Sequence, residues 1–168
     1  MLTVKKFGGT SVGSVARIKK VAKQVAADNT RSPATVVVLS AMSGETNRLL
    51  ALAKEFADRP DRREADVLVS TGEQVAVALF TIALRKLGVP AVSFLGHQIQ
   101  IETDGVHGQA RITKVETDKV NEALRSGKIP VIAGFQGVDV NGNVTTLGRG
   151  GSDTTAVAIA SAIGADVC

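Results

Sequence analysis

The 168-residue sequence contains no tryptophan and no tyrosine, and aromatic residues make up only 3% of it. Proteins that bind single-stranded nucleic acids stack the bases on aromatic rings, so this shortage argues against such a partner despite a net charge of +4. The basic residues form no continuous block, and the densest cluster, at residues 17–23, is typical of the solvated face of a helix. We therefore predict that the chain does not bind nucleic acid.

Cysteine is almost absent, since Cys168 is the single one. This excludes an internal disulfide and any zinc site built from several cysteines, and it is typical of a reducing compartment. The first residues, MLTVKKFGGTS, include a basic pair but no apolar run of signal-peptide length. We also find no stretch approaching the roughly 20 apolar residues of a membrane span. We predict a cytoplasmic protein with no membrane partner.

Only four prolines interrupt the chain, and a hydrophobic fraction of 44% is enough for one domain with its own core. Short β-branched runs alternate with amphipathic stretches, which predicts a three-layer α/β sandwich with a mostly parallel central sheet. Ligands in such sheets bind beyond the carboxyl ends of the strands. The predicted strands are residues 2–6, 34–40 (entered by Pro33), 89–95 and 129–135, and the predicted helices start near Val12 and cover about 44–57, 64–87, 115–126 and 154–163.

Several segments carry less regular signals. The second half of the long helix, VAVALFTIAL, is apolar nearly all round, which predicts a buried helix. Residues 96–113 show no regular pattern, whereas Asn141-Gly142 predicts a hairpin within residues 138–147. The last four residues indicate the approach to another strand. His97 and His107 lie in the irregular region without a matching third ligand, so we predict no metal site.

Two glycine-rich turns each follow a strand and precede a predicted helix: KFGGTS at residues 6–11 and GRGGSD at residues 148–153. Both offer backbone N–H groups and the positive end of a helix, an arrangement that binds phosphate or carboxylate. Neither is a Walker loop. In the second turn, Asp153 stands where a dinucleotide-binding loop has its third glycine, and its charge would repel a pyrophosphate, which argues against a dinucleotide-binding oxidoreductase.

Charged residues near these turns admit two interpretations each. Asp153 alone is ordinary chemistry for the first turn of a helix, but Arg149 beside it has no obvious structural task and suits bidentate binding of a carboxylate. Glu73, in STGEQ, precedes the most apolar part of its helix. An unpaired buried carboxylate is costly, so Glu73 either forms a structural salt bridge or faces the ammonium group of a ligand.

The segment SAMSGETN (residues 40–47) follows the buried strand at 34–40. Its hydroxyl groups, on Ser40, Ser43 and Thr46, should therefore lie at the carboxyl edge of the sheet. They are suited either to binding a polar substrate or to capping the next helix, and taken alone the capping interpretation is favoured.

Four motifs together resemble the aspartokinases of the amino-acid kinase superfamily: KFGGTS, SAMSGETN, STGEQ and TTLGRGGSDTTAVAIA, in order and at suitable separations. The resemblance spans the chain from Val4 to Cys168. It implies transfer of the γ-phosphoryl group of ATP, bound with Mg²⁺, to the side-chain carboxylate of L-aspartate. This reaction gives 4-phospho-L-aspartate, the entry to lysine, threonine and methionine synthesis.

The resemblance also implies roles for residues at matching positions. Lys6 would neutralise charge on the transferring phosphoryl group, and Gly8, Gly9 and Thr10 would bind phosphate. Asp153 would complete the reaction centre as a second catalytic residue. This inventory suits phosphoryl transfer, which depends mainly on alignment and charge stabilisation.

On the substrate side, the resemblance implies that Arg149 holds the α-carboxylate of aspartate and Glu73 its α-ammonium group. Ser40 and Thr46 would line the pocket. Gly150 and Ser152 would complete the substrate contacts.

The family pattern continues beyond Cys168 with a nucleotide-contacting segment and regulatory ACT domains, so we expect residues 1–168 to be a catalytic domain that is incomplete at its C-terminus. An uncovered sheet edge favours self-association, and we expect a homo-oligomer. Two alternatives stay open. One is a related kinase acting on acetylglutamate or glutamate, and the other is an inactive binding or oligomerisation module.

Overall fold

The computed structural model describes residues 1–30 and 34–168, which form eight strands and five helices. Pro33, predicted to lead into the second strand, lies outside these residues. The strands are β1 (Thr3–Phe7), β2 (Thr35–Leu39), β3 (Ala91–Phe94), β4 (Ile101–Thr103), β5 (Ile112–Val115), β6 (Ile129–Ala133), β7 (Gln136–Val138) and β8 (Val144–Thr146). The helices are α1 (Val15–Asn29), α2 (Glu45–Lys54), α3 (Arg62–Lys86), α4 (Asp118–Arg125) and α5 (Gly151–Ile163).

The central sheet has the strand order β1-β2-β6-β3, and every pairing in it is parallel. All residues of β2 and β6 are buried, because helices cover both faces of the sheet. One core, around Phe80, packs α1 and α3 on one face, and a second, around Ile159, packs α4 and α5 on the other. The three-layer α/β prediction is confirmed. Val167 adds a parallel bridge to Thr3, as the final residues indicated.

The parallel register brings the ends of three strands to one edge. Phe7 of β1 pairs with Leu39 of β2, which in turn pairs with Ala133 of β6. The loops that follow these strands therefore leave the sheet side by side, at its carboxyl edge.

A second sheet, of order β5-β4-β7-β8, was not predicted. It takes β4 and part of β5 from the region expected to be irregular, and because β5 extends to Val115, α4 begins at Asp118 instead of residue 115. The hairpin of β7 and β8 is confirmed. Its connection, however, is a five-residue loop in which the Gly142 N–H donates to the Asp139 carbonyl (3.0 Å), with Gly142 at φ 81°.

Helix α1 starts later than its hydrophobic spacing predicts. Val12 is fully buried in the preceding loop, and the helix begins at Val15. Ser14 caps it by accepting a hydrogen bond from the Arg17 N–H at 3.2 Å, as serine does at many helix starts. The KFGGTS turn is therefore separated from the positive end of α1, and the prediction that it sits on a helix N-terminus is wrong.

Helix α3 is only half buried. It buries Phe80 and Leu84 but exposes Val75 and Ile82, the latter by 62%, so the prediction of a buried helix is correct for one face only. By length and composition alone, α3 is long and apolar enough to cross a membrane. This differs from our expectation that no stretch approaches the length of an apolar membrane span. Half of that apolar window is buried inside the structure, and the helix carries the buried carboxyl of Glu73, so it serves here as a core helix.

Candidate functional site

A cavity of about 450 Å³ opens beyond the carboxyl ends of β1, β2 and β6. The loops after these strands form its walls, together with the GRGGSD segment and the first turns of α2 and α5. The cavity brings together every predicted site residue except Gly8, namely Lys6, Gly9, Thr10, Ser40, Thr46, Glu73, Arg149, Gly150, Ser152 and Asp153.

Gly8 lies just behind this lining, next to the Lys6 side chain. A Cβ atom at Gly8 would come within 3.3 Å of Lys6 Nζ, and one at Gly9 would come within 3.0 Å of the Ala41 carbonyl. The two glycines therefore let the loop after β1 run close to both the lysine and the loop after β2.

Two helices begin at the cavity without a side-chain cap. Helix α2 starts from Gly44 (φ 79°) and α5 from Gly150 (φ 76°), and neither has a side-chain hydrogen bond at its N-cap. The capping interpretation of Ser40, Ser43 and Thr46 is therefore wrong. Both positive helix ends open onto the cavity, and anions bind such ends well. The sequence correctly predicted that the N-terminus of α5 lies at the site. It placed the second helix end at α1, whereas the structure places the N-terminus of α2 there.

Glu73 lies on α3 with only 3% of its surface exposed. Its Oε1 accepts a hydrogen bond from the Ala41 N–H at 3.0 Å, whereas Oε2 has no hydrogen-bond partner within the described residues. No described Lys, Arg or His lies within 4 Å of this carboxylate, so the salt-bridge interpretation is wrong for this part of the chain. Burial raises the pKa of Glu73 to about 7.

The neighbouring Gly72 explains how α3 comes so close to the loop after β2. A Cβ atom there would lie 2.9 Å from the Ala41 Cβ and 3.4 Å from the Glu45 Cγ. A side chain at this position would push the helix away, and Glu73 would lose its contact with the Ala41 N–H.

Lys6 and Asp153 form an ion pair across the cavity mouth, with 2.8 Å between Nζ and Oδ1. The pair joins β1 to the first turn of α5. Arg149, by contrast, is exposed and has neither an ion pair nor a hydrogen bond from its side chain to any described residue. The cavity thus offers one unpaired cation, Arg149, and one buried anion without a counter-ion, Glu73.

Sequence reasoning missed Phe135, which lines the cavity. It was expected to end a strand, but β6 stops at Ala133 and Phe135 adopts φ 68°. Left-handed backbone is uncommon for a bulky residue, and no local pattern in IPVIAGF signals it. Met42 and Asn47 also line the cavity, and their position within SAMSGETN was the available signal.

His107 has a structural partner. Its Nδ1 lies 2.8 Å from Oδ2 of the buried Asp66, which also accepts hydrogen bonds from the Gly108 N–H and the Thr146 hydroxyl. Within residues 1–30 and 34–168, no group of three or more His, Cys, Asp or Glu side chains is placed to hold a metal ion.

Comparisons with known proteins bear on this geometry. The family model described as the amino acid kinase family matches residues 1–168. The chain is 58% identical over 167 residues to an aspartate kinase of Pseudomonas putida, an alignment that covers 99% of this chain and 41% of that protein. The chain thus spans about two fifths of the length of the curated relatives it matches.

Two solved structures have a similar fold. The aspartate kinase of Synechocystis gives a TM-score of 0.84 at 46% identity, covering 100% of this chain and 28% of the other. Aspartokinase III of E. coli, crystallised with aspartate and ADP in its R-state, gives a TM-score of 0.85 at 27% identity, covering 99% of this chain and 48% of the other.

Proposed function

The chain belongs to the amino acid kinase family, and from this premise we propose that it forms the substrate-binding part of an aspartate kinase catalytic domain. The proposed reaction transfers the γ-phosphoryl group of ATP to the side-chain carboxylate of L-aspartate and yields 4-phospho-L-aspartate. It is the first committed chemistry toward lysine, threonine and methionine, in a cytoplasmic and homo-oligomeric enzyme. Relatives named aspartate kinase support this proposal.

One observation carries the substrate assignment: the buried carboxylate of Glu73 has an oxygen without a partner in the described residues, in a cavity that also contains the unpaired Arg149. A free α-amino acid brings the complementary pair of charges. Its ammonium group suits Glu73, and its α-carboxylate suits the guanidinium of Arg149, which binds carboxylates with two parallel hydrogen bonds. With both α-groups held, the side-chain carboxylate is presented at one place, near Ser40 and Thr46.

The phosphoryl side of the proposed reaction uses Lys6 and the two uncapped helix ends. Phosphate oxygens arriving at the cavity would compete with Asp153 for the Lys6 ammonium, which is 25% exposed. Backbone N–H groups in the first turns of α2 and α5 stabilise negative charge that develops during transfer. We propose that Mg²⁺ enters on the nucleotide, because phosphate oxygens are the hard ligands it prefers.

Aspartate-dependent formation of ADP tests this function. We expect L-aspartate to support ADP formation, whereas N-acetylglutamate should not, because an acylated nitrogen brings no positive charge to Glu73. Glutamate is the second comparison, because it keeps both α-groups but places its side-chain carboxylate one carbon further away. Calorimetry with L-aspartate and with a non-hydrolysable MgATP analogue separates substrate binding from turnover. A chain that binds neither ligand would favour the alternative of a binding or oligomerisation module.

The raised pKa of Glu73 predicts that aspartate binds more tightly as the pH rises. Only the ionised carboxylate attracts the ammonium group, and with a pKa of about 7 it is mostly protonated at pH 6 and mostly ionised at pH 8. The association constant should therefore increase by about tenfold between these pH values. Calorimetry in buffers of different ionisation enthalpy should also detect proton release on binding near pH 6. Affinity that is flat from pH 6 to 8 would contradict the role of Glu73.

Arg149→Lys should raise the Kd for L-aspartate by about tenfold, because a lysine keeps the charge but loses the two-donor geometry. Arg125→Lys, in the last turn of α4 and outside the cavity, is the matched control and should leave the Kd unchanged. Equal affinities for both variants would show that Arg149 does not hold the α-carboxylate.

A further inference from the structure

A residue with unfavourable backbone geometry forms part of the cavity wall. Phe135 has φ 68°, a conformation in which a bulky side chain is a genuine outlier. Such a conformation persists only where the surrounding structure holds it, and it is often found at ligand-binding sites. The contacts that hold Phe135 are therefore informative about how the cavity is shaped.

The hydroxyl group of Thr155 is the first of these contacts. Thr155 is fully buried one turn into α5. Its Oγ1 accepts a hydrogen bond from the Phe135 N–H at 3.1 Å and donates one to the Gly151 carbonyl at 2.9 Å. A single hydroxyl thus joins the left-handed residue after β6 to the first turn of the helix that carries Asp153.

The second contact reaches the loop that carries the unpaired cation. The Phe135 carbonyl accepts a hydrogen bond from the Leu147 N–H at 2.8 Å, and Leu147 lies two residues before Arg149. The backbone of Phe135 is therefore bonded on one side to α5 and on the other to the start of the GRGGSD segment.

Close packing leaves little freedom around this arrangement. A Cβ atom at Gly134 would lie 2.8 Å from the Ser152 Cβ, and one at Gly151 would lie 2.8 Å from the Phe135 ring. Because both glycines are already in contact with their neighbours, a shift of Phe135 must move the first turn of α5 as well. Ser152 and Asp153 lie in that turn.

We propose that Thr155 is a positioning residue of the site, whose hydroxyl holds Phe135 in its left-handed conformation and thereby aligns the cavity wall with the first turn of α5. Thr155 does not line the cavity. Its effect on aspartate is indirect, through Phe135, Ser152 and Arg149, and in this respect the proposal rests on the function proposed above.

Two variants separate the hydroxyl from the shape of the side chain. Thr155→Val keeps the branched shape and removes the hydroxyl, which leaves the Phe135 N–H without its acceptor. Thr155→Ser keeps the hydroxyl and loses a methyl group. We expect Thr155→Val to raise the Kd for L-aspartate by about tenfold, because small misalignments of binding groups are costly. Thr155→Ser should stay close to the parent chain.

The position of the Phe135 ring can be observed without any ligand. The chain has five phenylalanines. Incorporation of 4-fluorophenylalanine at these positions therefore gives five fluorine resonances. The one that disappears in Phe135→Leu belongs to Phe135. We expect that resonance to shift or broaden in Thr155→Val and to keep its parent position in Thr155→Ser.

Thr103→Val is the matched control for a general loss of stability. Thr103 is also buried, and its hydroxyl lies 2.8 Å from that of Thr145, outside the cavity. This variant should lower the melting temperature while leaving both the Phe135 resonance and the aspartate Kd unchanged.

Each outcome decides one of the two proposals. An unchanged Phe135 resonance in Thr155→Val, or equal weakening of aspartate binding by Thr155→Val and Thr103→Val, would overturn the positioning role. If Thr155→Val does not fold, a displaced Phe135 resonance in Thr155→Ser would overturn the positioning role, because that variant keeps the hydroxyl. A parent chain that does not bind aspartate refutes the proposed function, and the ligand-free fluorine spectra still decide the role of Thr155.

Discussion

Lys6→Ala is expected to lower the rate of aspartate-dependent ADP formation by about 10³-fold, the upper range for removing one group that stabilises transition-state charge. The Lys6 ammonium is held at the cavity mouth by Asp153 at 2.8 Å, where an incoming phosphoryl group would meet it. Stability should change by less than about 1 kcal/mol, because the partner carboxylate is 69% exposed and such pairs contribute little. The measurements are steady-state ADP release and urea unfolding of both proteins.

Lys5→Ala is a demanding control for this prediction. Lys5 is the adjacent residue of β1, and its ammonium pairs with Asp28 at 2.7 Å, outside the cavity. Successive strand residues point to opposite faces, so the two lysines differ in direction while sharing the same strand. We expect ADP formation by Lys5→Ala to stay within about twofold of the parent chain, as for most surface substitutions. Equal losses in both variants would mean that Lys6 acts through β1 and not through its charge.

Glu73→Gln is expected to change binding and stability in opposite directions. Glutamine can still accept the hydrogen bond from the Ala41 N–H, but it removes the charge that attracts the ammonium group of aspartate. The Kd for L-aspartate should rise by about 100-fold, as expected when one partner of a buried charge pair is lost. Calorimetry at pH 8, where the parent carboxylate is ionised, measures this effect.

At pH 8, Glu73→Gln should have a higher free energy of unfolding than the parent chain. A pKa raised from 4.5 to about 7 by burial means that the folded state bears a cost of up to about 3 kcal/mol when Glu73 is ionised. The folded state binds more protons than the unfolded state between these two pKa values, so this contribution lowers stability as the pH rises from about 4.5 to 7. It stays constant above that range. Glutamine does not titrate, so Glu73→Gln should lack this decline.

Glu64→Gln controls for the substitution itself, because Glu64 lies on the same helix but is exposed and paired with Arg63. It should leave the Kd for aspartate unchanged. If Glu73→Gln binds aspartate as well as the parent chain, the ammonium assignment is wrong. If Glu73→Gln is less stable than the parent chain at pH 8, another group in the folded state must stabilise the charge of Glu73, contrary to this prediction.

The central sheet and its helices could be predicted because their signals are local. Continuous β-branched runs such as TVVVL occur where a parallel strand is covered on both faces, and glycine-rich turns mark where the chain leaves the sheet. Residues far apart in the chain, such as Lys6 and Ser40, line one cavity because the parallel strands β1 and β2 end at the same edge. The sequence was therefore sufficient to name most of the cavity lining.

The parts that escaped prediction depend on contacts between distant segments. Strand β4 has only three residues, too few for an alternating pattern to be recognised, and it builds the second sheet by pairing with β5 and β7. The left-handed conformation of Phe135 depends on a hydroxyl group 20 residues away, at Thr155. The outer face of α3 is apolar yet exposed, and composition does not distinguish such a face from a buried one.

The close approach at Gly72 has an evolutionary consequence. A glycine inside a helix gives up stability that alanine would restore, by about 1 kcal/mol in an exposed helix. Here that gain is blocked, because the first atom of any side chain would collide with Ala41. Selection for heat resistance therefore gains nothing by replacing this glycine, and selection for the geometry around Glu73 keeps it as well. Thermal adaptation and activity thus both exclude a methyl group at Gly72.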